Sequence, residues 1–223
     1  MLSIRQLLFH YQSDEFRLEF DELVITTGET LAIKGPSGCG KTTLLQLIAG
    51  ILKPQSGVIS WRDKRISNMA ETVLRDFRLR TFGMVFQSFE LLEYLSVRDN
   101  ILLPVHISMS LRLNTVIQRR AVELAEKVGI AEKLPRKVKQ LSQGERQRVA
   151  ICRALLLQPE VILADEPTGN LDPGNRRRVF NILLSYALEN GATLITVTHD
   201  QSLLDRFSRV LDFQQLNQSS ATV

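Results

Sequence analysis

The run Gly35-Pro36-Ser37-Gly38-Cys39-Gly40-Lys41-Thr42 places glycines, a lysine and a threonine at a spacing that suits a polyphosphate. Glycine lets the backbone turn successive N–H groups inward, where they can wrap phosphate oxygens. Lys41 adds a point charge at the β- and γ-phosphates, and the Thr42 hydroxyl can ligate Mg²⁺. A helix opening there, through Thr43, presents its positive end to the same anion. A second chemical group is Asp165-Glu166, which closes the apolar run Val161-Ile162-Leu163-Ala164. Asp165 is suited to hold Mg²⁺ through its water shell and Glu166 to polarise an attacking water, because phosphoryl transfer needs charge neutralisation and positioning more than covalent help. Taken alone, that pair could equally cap a helix. In Leu141-Ser142-Gln143-Gly144-Glu145, Ser142 can cap a helix running through Arg146, Val149, Ala150 and Ala154, and the start of that helix is a second anion site.

These residues need elements that bring them to one end of a sheet, since ligands of open α/β sheets sit at the carboxyl ends of strands. From Leu31 onward, short apolar runs alternate with helical periodicity, the pattern of a parallel sheet flanked by helices. Strands are expected near 31–34, 82–86, 161–165, 193–198 and 210–213, and helices near 41–49, 116–128, 143–157, 175–189 and 201–206. Phe16, Leu18 and Phe20 alternate with polar residues, so 2–24, together with 57–61, reads as short antiparallel strands. The stretch from about 91 to 157 is mostly helical and interrupts the alternation. The expected fold is therefore an α/β P-loop NTPase, one domain over 1–223, with an N-terminal antiparallel β subdomain and an inserted helical subdomain.

Composition narrows the classes further. With 223 residues, 44% of them hydrophobic and 23% charged, the chain can build one sizeable core and has no signature of disorder. No apolar run approaches the length of a membrane span, and Met1-Leu2-Ser3-Ile4-Arg5-Gln6 lacks a signal-peptide layout, so a cytoplasmic protein is expected. A net charge of +4, dispersed apart from clusters such as Arg176-Arg177-Arg178, does not call for nucleic acid. Cys39 lies inside the glycine-rich loop and Cys152 inside a helical apolar pattern, which suggests neither a disulfide nor a metal site.

The phosphate loop, then Gln87, then Leu-Ser-x-Gly, then Asp-Glu and finally His199 occur in an order that resembles the ATP-binding-cassette (ABC) ATPases, over nearly the whole chain. The resemblance implies ATP and Mg²⁺ as cofactors and ATP hydrolysis as the activity. By the same resemblance Tyr11 stacks on adenine, with Phe9 and His10 as rival aromatic candidates. Gln87 senses Mg²⁺ and the γ-phosphate at the junction with the helical subdomain, and His199 contacts the γ-phosphate. Ser142 and Gly144 complete the site of another subunit, and Asp172 lies in a loop, with Gly169, Asn170 and Leu171, that links the two sites. Hydrolysis then requires a head-to-tail homodimer. Gln143 and Glu145 depart from the commoner glycine and glutamine of the signature, Lys34 is unusually polar for its place, and the closing hairpin after Phe213 is shortened.

Residues 83–92 and 164–172 narrow the likeness to the branch of lipoprotein-release, macrolide-efflux and cell-division ATPases. The implied partner is a separate membrane permease, which would hold the chain on the inner face of the cell membrane. Within Ser88-Phe89-Glu90-Leu91-Leu92-Glu93-Tyr94-Leu95, Phe89 and Leu91 or Leu92 are expected to line the permease-docking groove, the alternative being that they fill the helical core. A soluble ABC-type ATPase acting on nucleic acid or the ribosome is the competing class, but neither a long heptad run nor a duplicated cassette is present. A module that binds without hydrolysing conflicts with Glu166 and His199.

Overall fold

A computed structural model describes residues 1–11, 16–169 and 171–218; Asn170 of the expected linking loop lies outside them. Alternating apolar residues build the first layer from β1 (Leu2–His10) and β2 (Arg17–Ile25), each nine residues long and antiparallel to the other. The chain then enters β3 (Thr30–Lys34) and helix α1 (Lys41–Ile48), and returns to the first sheet through β4 (Ser56–Trp61) and β5 (Lys64–Arg65) in the order β2-β1-β4-β5. β1 and β2 run on past the break in their apolar alternation because β1 carries a bulge. Leu2 and Ile4 point into the core on even positions, and Leu7 and Phe9 on odd ones. The switch is made at Gln6, whose φ is 49°, and the register of β1 against β4 shifts between Arg5 and Leu8. Gly57 sits opposite the bulge at φ 96°, where a Cβ would fall 2.4 Å from the Gln6 carbonyl oxygen.

Helix α2 (Glu71–Thr81) precedes β6 (Phe82–Val85), and the helical insertion follows as α3 (Val97–His106), α4 (Thr115–Val128) and α5 (Gln143–Leu155). The chain continues through β7 (Val161–Asp165), α6 (Pro173–Asn190), β8 (Thr193–Val197), β9 (Arg209–Asp212) and α7 (Phe213–Gln218). The second sheet is parallel in the order β6-β7-β8-β3-β9. Every residue of β7 and β8 is buried, as expected for strands covered on both faces. One face packs α1 and the antiparallel layer around Leu44, Leu47, Ile48, Trp61 and Phe20. The opposite face packs the insertion and α6 around Ile101, Leu124, Ile151, Phe180 and Leu183.

No periodicity marks α2 in the sequence, because only Leu74 and Thr81 of it are buried. It is held instead by Arg78, whose Nη1 donates to the Gly50 carbonyl at 2.9 Å and so places a cation at the carboxyl end of α1. Towards the end of the described residues β9 pairs with β3 as the sheet edge, and α7 follows it. Lys34, polar where an apolar residue was expected, lies 3.7 Å from Asp212 across that edge.

Replacing Gly57 by alanine should lower stability by about 2 kcal/mol or more, since the variant meets both left-handed strain and backbone overlap. Thermal unfolding checks this, and a melting temperature equal to the parent's would contradict the bulge geometry.

Candidate functional site

Because β6, β7, β8 and β3 are neighbours and parallel, their carboxyl ends bring Gln87, Asp165-Glu166, His199 and the glycine-rich loop to one rim. Gly40 caps α1 in the left-handed region at φ 108°, and a Cβ there would fall 2.5 Å from the Phe16 ring. Lys41 is 5% exposed, and its Nζ donates to the carbonyls of Gly35 at 2.9 Å and Pro36 at 2.6 Å. A phosphate oxygen is a stronger, charged acceptor than either carbonyl, so the ammonium is held ready for exchange.

Thr42 Oγ1 donates to Asp165 Oδ2 at 2.7 Å, joining the loop to the end of β7. Asp165 is 8% exposed, and burial pushes its carboxyl pKa up, the Thr42 hydrogen bond opposing that rise and the charge of Glu166 adding to it. Glu166 has φ 44° and is fixed at its backbone by donation from its N–H to the Val197 carbonyl at 3.0 Å. Its side chain is bracketed: His199 Nε2 lies 2.8 Å from Oε1, and Gln87 Nε2 donates to Oε2 at 3.2 Å. With a carboxylate as acceptor, Nε2 of His199 carries the proton.

A cavity of about 600 Å³ opens over this rim, lined by Ser37, Gly38, Gly40 and Lys41 to Thr43 on one side and by Gln87, Glu166 and His199 on the other. That volume is within the range of small-molecule sites. Tyr11 and Phe16 form its aromatic wall, with ring centroids 5.6 Å apart. Tyr11 is 41% exposed, and its hydroxyl is 3.1 Å from Thr43 Oγ1. Of its rivals, Phe9 is buried, and His10 is tied to Gln55 through its backbone. Phe16, which the sequence offers only as an alternating strand residue, reaches this wall by packing on Gly40. The residues fit a Mg-nucleotide: a buried carboxylate with a hydroxyl beside it offers oxygen ligands to a divalent cation, and the loop offers amides and an ammonium to phosphates.

Gly35, Pro36 and Cys39 lie in the loop but do not line the cavity, and the Cys39 side chain turns toward Gly35 and the Lys41 ammonium. Nor do Ser142, Gly144 and Asp172 line it. Ser142 caps α5 in a capping box, accepting from the Glu145 N–H at 3.3 Å while its own N–H donates to Glu145 Oε2 at 2.8 Å. The unusual glutamate of the signature is thus a reciprocal cap, paired also with Lys133 at 3.6 Å. Asp172 caps α6 by accepting from the N–H groups of Gly174 and Asn175, each at 3.1 Å.

A separate apolar groove of about 260 Å³ lies between the insertion and the parallel sheet, bordered by Ile51, Phe86, Glu90, Leu103, Pro104 and Ile107. The segment after Gln87 reaches it through Phe86 and Glu90, whereas Phe89, Leu91 and Leu92 do not line it. Leu91 packs on the helical core, the alternative that its spacing left open. Phe89 and Glu90 both have positive φ, and the Arg153 guanidinium donates to both of their carbonyls, which keeps the turn in place.

The model of the ABC transporter family matches residues 19–169. The lipoprotein-releasing system ATP-binding protein LolD of Syntrophus aciditrophicus is 42% identical over 212 residues, 94% of each chain. Among solved structures, the dimeric MJ0796 ABC transporter cassette matches with a TM-score of 0.86 at 31% identity, over 95% of this chain and 94% of that one. A dimeric post-hydrolysis state of MJ0796 bound to ADP and Pi matches with a TM-score of 0.87 at 30% identity, over 98% of this chain and 95% of that one.

A raised pKa means that the fold favours neutral Asp165, a contribution present at low pH and lost as the pH rises through the folded-state value. Asp165→Asn should therefore raise the melting temperature of the nucleotide-free protein near neutral pH by a few degrees, with the gain shrinking in the carboxylate range, while Mg²⁺-dependent activity falls. An unchanged or lowered melting temperature would contradict this. Thiol alkylation should reach Cys39 long before Cys152, whose thiol is pushed up to about 12 by burial. Saturating Mg-ATP should slow the Cys39 reaction as Lys41 and the loop close on phosphate, and equal labelling with and without nucleotide would contradict that placement.

Proposed function

The chain belongs to the ABC transporter family, and from that premise we propose that Glu166, bracketed by Gln87 and His199 over the phosphate loop, is the carboxylate that polarises water for ATP hydrolysis. The protein is an ATP-binding and ATP-hydrolysing subunit that works with a membrane permease, and ATP drives its dimerisation. Within one cassette over 1–223, helices α3 to α5 form the helical subdomain of about 91–157. The bracketed carboxylate is the observation that carries the hydrolytic reading, because it assembles separately read residues around one group.

On binding, the triphosphate takes the Lys41 ammonium from the Gly35 and Pro36 carbonyls, and loop amides hold its oxygens. Thr42 and Asp165 would hold Mg²⁺, with Gln87 beside it; the ion neutralises phosphate charge when bound. Glu166 retains lone pairs beyond those used by Gln87 and His199, so it can accept from a water aimed at the γ-phosphate. Tyr11 offers a face to the base.

Ser142 and Gly144 lie away from their own cavity, which supports a head-to-tail pair in which each copy lends its signature to the other's nucleotide. Among the described residues no helix is long and apolar enough to cross a membrane, so attachment is proposed to run through the permease, on the cytoplasmic face. The groove between the insertion and the sheet is the proposed docking site, and its Phe86 and Glu90 connect it along the chain to Gln87. The LolD relative supports a permease of the lipoprotein-releasing kind. Dispersed surface charge supports no nucleic-acid role.

Glu166→Gln should keep ATP binding and lose about 10²–10⁴ in turnover. The trapped protein should then run as a dimer with saturating ATP, by light scattering, and as a monomer without it. A monomer at saturation would count against the composite site.

A further inference from the structure

Ser142 and Gly144 open α5, while Asp172 opens α6, and the two starts meet at one side chain. Asn175 Nδ2 donates to Asp172 Oδ2 at 2.6 Å, and Asn175 Oδ1 accepts from Arg148 Nη1 at 3.1 Å. Gly144 packs directly on the same amide, where a Cβ would lie 3.3 Å from Nδ2. Because Asp172 offers only acceptors and Arg148 only donors, the amide can sit in a single orientation. Its two ends are therefore assigned by its partners.

We propose that Asn175 is a positioning residue that locks the signature at the start of α5 to the linking loop before α6, so that both reach the partner's nucleotide as one rigid edge. This rests on the head-to-tail reading above. Among the described residues, the side-chain hydrogen bonds that join the start of α5 to the start of α6 run through Asn175. Asp172 is exposed, and the Ser142 cap is local to its own helix. Through Asn175 the exposed carboxylate is joined to Arg148, which lies on α5 one turn beyond Gly144 and places a cation behind the amide. Without the amide, the loop and the signature can approach the partner separately, and ordering both opposes dimerisation.

The test uses Asn175→Asp in the Glu166→Gln background. This change keeps the size of the side chain, its packing on Gly144 and its partner Arg148, and an acidic group in the first turn of α6 suits the helix. Only the donor toward Asp172 becomes a repelling oxygen. Expected are unchanged ATP affinity of the monomer and at most a small fall in its melting temperature, with ATP-driven dimerisation weakened by about ten-fold or more, the cost of ordering a freed loop and signature on association. Lowering the pH should restore the dimer by placing a shared proton between the two carboxylates, whereas Asn175→Ala, which weakens the dimer similarly, should show no such recovery relative to the Glu166→Gln parent. Dimerisation equal to that parent would overturn the proposal, and so would a parallel fall in monomer stability and ATP affinity, which marks a merely structural role. Failure of the Glu166→Gln parent itself to dimerise would remove the composite-site reading and this inference with it.

Discussion

A carboxylate is kept almost out of water at the carboxyl end of a parallel strand, and the rim of the site is organised around it. Asp165 sits there, answered at 2.7 Å by the hydroxyl of Thr42 and raised in pKa by its burial. A fold selected for stability alone would place an apolar residue at that point. The cost is tolerable because β7 is buried along its length between β6 and β8, so the strand end cannot relax into solvent. The register that holds it also sets the separation of the loop after β3 from Glu166 and His199, and so decides where a γ-phosphate can lie. A cation held at Asp165 would relieve the burial of charge and so couple occupancy of the site to the stability of its own walls.

The same rim is complete for binding and incomplete for enclosure. Lys41, Thr42, Gln87, Glu166 and His199 share one cavity, yet the helix start at Ser142 belongs to another surface. Two helix starts that cannot reach the same anion within a chain can do so across a pair of chains, each supplying backbone N–H groups and the positive end of a helix dipole. The ion pair of Glu145 with Lys133 keeps the extra carboxylate of the signature from presenting an uncompensated charge to that anion. Gln87 donates to Glu166 at the rim, and the Arg153 contacts with Phe89 and Glu90 hold the turn that follows it beside the apolar groove.

Much of this was legible in the residues because glycine, lysine and paired carboxylates have few alternatives at those spacings. The loop and the buried strand before Asp165 follow from local pattern and from the rule that ligands sit at strand carboxyl ends, whereas Gln87 and His199 are picked out by the order of motifs that resembles the ABC ATPases. What escaped depends on contacts distant in sequence. Helix α2 has no apolar stripe and is held through Arg78 on the end of α1. The Gln6 bulge breaks alternation in β1 and is explained only by Gly57 opposite it. Phe16, against Gly40, and Asn175, between Asp172 and Arg148, are single residues whose roles arise from packing across the fold. The apolar groove has no local signature in the sequence, because its lining comes from several elements.

If one nucleotide site is built from two chains, two variants that are each inactive should complement one another when mixed. Lys41→Ala removes the phosphate cation from one chain, and Ser142→Arg blocks the signature of the other, so neither alone should hydrolyse ATP. In a mixed pair, the intact loop of the Ser142→Arg chain meets the intact signature of the Lys41→Ala chain. ATPase activity should reappear on mixing, well above that of either variant. Activity in the Ser142→Arg protein alone, or a mixture as silent as its components, would contradict it.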